Sequence, residues 1–159
     1  MTCPGRVRVL IVGFVGLGSL TLVGCGSKEG KLSENDAHLK ALSVLYGRYI
    51  SAHRGMGPTD EAEFKKFIKS FPSGDLESLQ VDPNDLDKTF KSPRDNQPYG
   101  VAYKARGGSM GGQGGGPMIA WEQTGLGGKR AVADSLGKIE EIDDAEFNKR
   151  FAALAMGKK

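Results

Sequence analysis

Met118 to Phe147, MIAWEQTGLGGKRAVADSLGKIEEIDDAEF, is the stretch whose reading decides the fold. It contains three short apolar runs separated by glycine-bearing turns, followed by a helix start. In MIAWEQ (118–123) a two-residue period predicts a strand with Ile119 and Trp121 on one face. Lys129 to Ala133 and Lys138 to Ile142 are shorter strand candidates, joined through Asp134-Ser135-Leu136-Gly137. Asp143 then stands as an N-cap with Glu146 three residues on, and Ile142 is spaced to meet Phe147. That is a capping box with a hydrophobic staple, opening a helix with Phe147, Phe151 and Leu154 as its buried stripe.

Upstream, Tyr99, Val101 and Tyr103 alternate with small or polar residues and predict a further strand. Before it, SPRDNQPY (92–99) specifies turns, because proline fixes φ and Asx side chains bond nearby backbone. Leu39, Leu42, Tyr46, Tyr49, Ile50 and His53 recur at helical spacing. Ser33, Asn35 or Asp36 is available as the N-cap, and Gly55 as the stop. Gly47 lies within this helix, where it either weakens it or permits a close neighbour. A second helix begins at Asp60 with Glu63 in capping-box spacing; Phe64, Phe67, Ile68 and Phe71 line one face until Pro72-Ser73-Gly74, and this aromatic stripe reads as core. Asp75 to Phe90, with Pro83 and spaced leucines, reads as a connector with one or two short turns. The expected architecture is α+β: N-terminal helices, an antiparallel meander of three to four strands, and a C-terminal helix, in one domain spanning 33–156.

The first 25 residues are of another kind. A basic start (Arg6, Arg8) precedes an apolar run from Val9 to Val23, and Gly24-Cys25 follows. This is the layout of an export signal. The run of about 15 residues is too short to span a ~30 Å hydrocarbon core. Leu22-Val23-Gly24-Cys25 resembles the lipobox of bacterial lipoproteins. The resemblance implies that residues 1–24 are a signal peptide, that cleavage falls between Gly24 and Cys25, and that Cys25 takes a lipid on its sulfur, often with a further acyl chain on the new amino group. A small Gly24 gives a peptidase access, and two or more acyl chains anchor stably where one does not. The competing reading, an ordinary secretory signal with a chance cysteine, fits less well with the agreement of the three zones. Gly26 is not the acidic residue that often retains such proteins on an inner membrane, which favours the outer membrane. Residues 25–32, the lipidated cysteine and a small polar stretch, read as a flexible tether.

Composition then falls into place. The chain has 159 residues, 22 basic and 19 acidic, for a formal net charge of +3. Removing residues 1–24 takes two arginines and no acids, leaving 20 against 19. No basic stripe remains to hold nucleic acid. Of the two cysteines, Cys3 is lost with the signal and Cys25 carries lipid, so no redox thiol remains.

The glycine-rich loop at 105–117 contains seven glycines but lacks the Lys-Ser/Thr and following helix of a phosphate loop, so it reads as a hairpin tip with Met110 and Gln113 available to a partner. Gly125 to Lys129 (GLGGK) lacks the same features. His38 and His53 lie fifteen residues apart on one helix, over ~20 Å along its axis, and cannot share a metal; each reads as a surface or helix-end residue. Ser109 sits in the glycine loop without the sharp turn of a catalytic serine. Glu140-Glu141 and Asp143-Asp144 are explained by solvation and capping. Arg94-Asp95 is the most structured polar feature, and Arg94 is expected to tie its turn to the sheet or to an acidic neighbour. The sequence thus points away from an enzyme, offers no catalytic, metal or cofactor residues, and leaves any small-molecule ligand unknown.

SPRDNQPYGVAY (92–103) followed by 118–147 resembles small planctomycete lipoproteins of unknown function, in which a Ser-Pro-Arg-Asp turn leads to a strand and then to a strand with an acidic residue, here Glu122; a Gly-Gly-Lys-Arg segment (127–130) precedes the last hairpin. That hairpin, AVADSLGKIEEI, is also similar to the C-terminal strand-turn-strand of pseudopilin-like proteins, with Thr124 where an upstream His is expected. The planctomycete resemblance carries no biochemical activity with it; with the lipobox, the first reading is a lipid-anchored envelope protein acting as a binding or structural module, with another envelope protein as partner. The alternative is a pseudopilin-like accessory of a secretion or pilus system.

Overall fold

Ser33 starts the first helix: its Oγ accepts the N–H of Asp36 at 3.1 Å, satisfying one of the orphan donors of the first turn. The computed structural model describes residues 32–105 and 116–156, with side chains to residue 152. The signal, the lipobox, Cys25 and nearly all of the tether lie outside the described residues, as do Ser109, Met110 and Gln113 of the glycine loop.

Helix α1 (Glu34–Ala52) buries Leu39, Leu42, Leu45, Tyr46 and Tyr49 along one stripe. It stops where expected, with Gly55 at φ +85° and its N–H on the Ile50 carbonyl at 2.9 Å. A Cβ on Gly47 would meet only the Ser135 carbonyl oxygen, at 3.9 Å. No close approach requires that glycine, so its cost to the helix is uncompensated.

Helix α2 (Glu61–Ile68) is capped by Asp60, whose Oδ1 accepts the N–H of Glu63 at 2.8 Å. Glu63 reaches back one residue further than a simple capping box, to the N–H of Thr59 at 2.7 Å, and also accepts the hydroxyls of Thr59 and Tyr49, both at 2.6 Å. Those bonds, from Thr59 and then Tyr49, hold its carboxyl down to about 2. The helix ends at Ile68 rather than running on to Pro72, because the N–H groups of Ser70 and Phe71 turn back three residues to Phe67 and Ile68. Phe64 and Ile68 are fully buried, and Phe67 and Phe71 pack against them half-buried, so the aromatic stripe is core as expected. The connector holds two short helices, α3 (Ser73–Ser78) and α4 (Leu86–Thr89), which insert Leu76 and Leu86 into the same core. Each such fully enclosed side chain contributes about 2 kcal/mol.

Four strands, β1 (Gly100–Val101), β2 (Met118–Trp121), β3 (Lys129–Asp134) and β4 (Ile139–Asp143), form an antiparallel sheet in sequence order. β1 is shorter than the alternation of Tyr99, Val101 and Tyr103 predicts. The N–H of Tyr103 folds back on the Val101 carbonyl at 2.9 Å, and Lys104, at φ +62°, gives its N–H to Pro58, so the chain leaves the sheet.

The sheet corrects a second expectation. Met118 pairs with Asp134 but Ala120 pairs with Ala133, so Ile119 is an extra residue in β2. The bulge breaks the two-residue period. Ile119 and Ala120 both enter the core beneath α1, whereas Trp121 emerges on the other face with Met118, Val132, Ile142 and Phe147. Ile119 and Trp121 therefore lie on opposite faces. Trp121 lies flat against Gly100, its β1 partner: a Cβ there would sit 2.2 Å from the indole.

Helix α5 (Asp144–Met156) covers that second face. Asp143 Oδ1 accepts the N–H of Glu146 at 2.8 Å, and Ile142 and Phe147 are both buried, as the cap and staple predict. Glu146 turns to Arg150 at 2.7 Å instead of back to the cap. Phe147 is buried but Phe151 is 44% exposed, resting edge-on against Trp121, which corrects the expected stripe; Leu154 lies outside the residues whose side chains are described. The chain is α+β, with helices on both faces of an antiparallel meander.

Candidate functional site

The Ser92–Tyr99 turn is where polar side chains converge. Its backbone closes through the N–H of Ser92 on the Gln97 carbonyl (2.9 Å) and the N–H of Asn96 on the Ser92 carbonyl (3.0 Å), with Asn96 in the left-handed region at φ +57°. The Ser92 hydroxyl caps the turn from inside, accepting the N–H of Arg94 at 3.1 Å. The turn packs between the first turn of α1 and the end of β2.

Glu122, one residue past β2, is completely buried. Its Oε2 accepts the N–H of Ala131 at 2.7 Å; its Oε1 lies 3.2 Å from Ser92 Oγ and 3.4 Å from Arg94 Nε. Arg94 spans this buried carboxylate and Glu141 at the surface of β4. The expectation that Arg94 ties its turn to the sheet is met by both contacts. Taking a carboxylate out of water is expensive unless it is paired and hydrogen-bonded, and here both conditions hold.

Asn35 completes the cluster from α1. Its Oδ1 accepts the Tyr99 hydroxyl at 2.7 Å and lies 3.1 Å from Ser92 Oγ. Ser92 has one hydroxyl hydrogen for two acceptors, Asn35 and Glu122. The Asn35 amide nitrogen is buried with no partner among the described residues. Burial drives the Tyr99 hydroxyl's pKa well above its ordinary value.

Asp95 faces the other way and clamps the β2–β3 loop. Its Oδ2 accepts the N–H groups of Gly125 (2.9 Å) and Thr124 (3.1 Å), and its Oδ1 that of Gln97 (3.1 Å). Burial acts to raise its carboxyl pKa, but the N–H groups of Gly125, Gln97 and Thr124 outweigh it and hold the group below the usual carboxylate range.

The two histidines separate. His53 ends α1 and is exposed, stacked on Tyr49 at 3.8 Å, as a helix-end residue should be. His38 is not a surface residue: it is 6% exposed, with Nδ1 3.2 Å from the Lys91 carbonyl. Burial lowers its pKa. His38 lines an open cleft of about 480 Å³ with Glu34, Asp82, Lys88 and Thr89, across which Lys88 and Glu34 pair at 2.8 Å. No group of three or more His, Cys, Asp or Glu among the described residues is placed to hold a metal ion. The paired carboxylates are occupied: Glu140 by Lys138 and Arg150, Glu141 by Arg94, Asp143 as cap, and Asp144 by Arg130 at 2.8 Å.

The structure therefore brings together Arg94 and Glu122, which the sequence singled out, with Ser92, which it gave only as the start of a turn, and with Asn35 and Tyr99, which it assigned only to a cap and a strand. The signal for Asn35 is its spacing. It stands four residues before Leu39 and seven before Leu42, a polar side chain in the register of the apolar stripe. Chemically the cluster fastens α1, the turn and the β2–β3 hairpin to one another. No protein-family model matches the chain, and no curated protein or solved structure is significantly similar to it.

Proposed function

We propose that the protein is a lipid-anchored, non-catalytic module of the bacterial envelope, held through Cys25 and presenting its α+β head to another envelope protein. The observation that carries the reading is Leu22-Val23-Gly24-Cys25 at the end of a short apolar run, eight residues before the Ser33 cap of α1. No helix among the described residues is long and apolar enough to cross a membrane. One feature of the head supports the reading. The polar cluster at Glu122 is sealed from solvent, an arrangement that braces a head rather than one that admits a dissolved substrate. The near-neutral balance after residue 24 gives no electrostatic reason for nucleic acid as partner.

Metabolic labelling with an alkyne analogue of palmitate tests the anchor: label on the wild-type protein and none on Cys25→Ser is the expected result, and equal labelling of both refutes it. Crosslinking in cells identifies the partner. Other envelope proteins support a binding or structural module; secretion or pilus components support the second reading, a pseudopilin-like accessory. The observation favouring that alternative is the closing β3–β4 hairpin, where Asp134 Oδ1 accepts the N–H groups of Leu136 and Lys138.

A further inference from the structure

Four side chains of the buried cluster stand in the roles of a group-transfer reaction. Asn35, Ser92, Tyr99 and Glu122 are 2%, 1%, 5% and 0% exposed. Ser92 Oγ lies 3.2 Å from a carboxylate oxygen of Glu122 and 3.1 Å from the amide oxygen of Asn35. The amide carbon is at most one C=O bond length, about 1.23 Å, further off. The Tyr99 hydroxyl donates to that amide oxygen at 2.7 Å, and the amide nitrogen has no partner among the described residues. A nucleophile beside its base, a carbonyl polarised by a fixed donor, and a leaving group that no described residue holds are the parts that acyl transfer needs.

We propose that Ser92 and Asn35 become joined by an ester bond that the protein forms within itself. Ser92 Oγ attacks Asn35 Cγ with a lone pair as its proton passes to Glu122. The negative charge that develops on Oδ1 is held by the Tyr99 hydroxyl. The intermediate collapses, the Cγ–Nδ2 bond breaks, and the nitrogen leaves as ammonia with the proton returned by Glu122. One C–O bond forms, one C–N bond breaks, and no oxidant or co-reactant is needed. Burial supplies both the proximity that drives an otherwise slow reaction and the exclusion of water that preserves the product. Escape of dilute ammonia pulls the exchange forward. The link joins the first turn of α1 to a turn 57 residues later. It would staple a head whose sequence after residue 25 contains no cysteine and therefore no disulfide.

The test is a tryptic map of the full-length, detergent-extracted protein after prolonged incubation in its folded state. Trypsin releases Leu32–Lys40 and Ser92–Arg94. The expected result is one joined species lighter than their sum by a single ammonia, about 17 Da, which hydroxylamine separates as it does an ester. Recovery of both fragments unmodified overturns the proposal, and so does a fragment with aspartate at position 35 and no link. Glu122→Gln is expected to abolish the link. Tyr99→Phe leaves the buried carboxylate in place and is expected to slow linking about a hundredfold. Linking at the wild-type rate in Tyr99→Phe overturns the assigned chemistry.

Discussion

Replacing Asp95 with Asn tests how the Ser92–Tyr99 turn is held to the sheet. The aspartate makes three bonds to backbone N–H groups, two on Oδ2 from Thr124 and Gly125 and one on Oδ1 from Gln97. An amide has one acceptor oxygen, so its NH₂ must face an N–H in either orientation. The better orientation keeps two neutral bonds and loses the third. Three charged bonds at the low end of their net worth contribute about 4.5 kcal/mol, and two neutral ones about 2 kcal/mol. The expected loss is then about 2.5 kcal/mol; the low end applies because the site is partly open to water. Urea unfolding near neutral pH measures it as a fall in the midpoint at constant slope. Acid supplies an internal control. The folded carboxyl titrates below its unfolded value of about 3.9, so its contribution is fully present above that value and is lost as pH falls through the folded one. Asn has no such loss, so the two proteins should converge in acid. A difference under about 0.5 kcal/mol near neutral pH, the scale of an ordinary surface substitution, refutes the reasoning, as does a gap that acid leaves unchanged.

Three other changes probe separate parts of the fold. Gly47→Ala should stabilise by about 1 kcal/mol, since the helix gains and the new Cβ meets nothing closer than 3.9 Å; a lowered melting temperature counts against this placement of α1. Gly100→Ala forces a Cβ to within 2.2 Å of the Trp121 indole and should cost about 1–3 kcal/mol, with a red shift in tryptophan emission; unchanged emission and stability contradict the stacking. The His38 ring should titrate below about 6.5 by NMR, because burial opposes its charged form. Between its folded value and about 6.5 the unfolded chain binds the proton first, so stability falls as pH drops through that window, and His38→Gln should flatten the dependence.

What was legible in the sequence was local. The caps at Asp60 and Asp143, the stop at Gly55 and the turn around Pro93 and Pro98 each rest on residues a few positions apart, and the structure has them all; for α1 the sequence left Ser33, Asn35 and Asp36 open, and the cap is Ser33. What was not legible depends on partners far along the chain. His38 is buried because the Lys91 carbonyl, 53 residues on, receives its ring. Trp121 leaves the face of Ile119 because β3 admits one extra residue in β2, and nothing in MIAWEQ marks the bulge. At the candidate site, Arg94 and Glu122 stood out by type and context, and Ser92 only as the start of its turn. Asn35 and Tyr99 did not, because their roles exist only once α1, the turn and β2 are brought together. Helix and strand periodicity rank residues by burial on their own element and are silent about which polar groups meet between elements.

The central claim is that Cys25 anchors this head to a membrane. The most direct measurement is the distribution of wild-type protein and Cys25→Ser between membrane pellet and soluble fraction after carbonate washing. Wild type should stay with the membranes until detergent is added, and Cys25→Ser should appear in the soluble fraction, with its head unfolding at the same urea concentration as the wild type. If Cys25→Ser remains in the washed pellet to the same extent, the lipid anchor is contradicted.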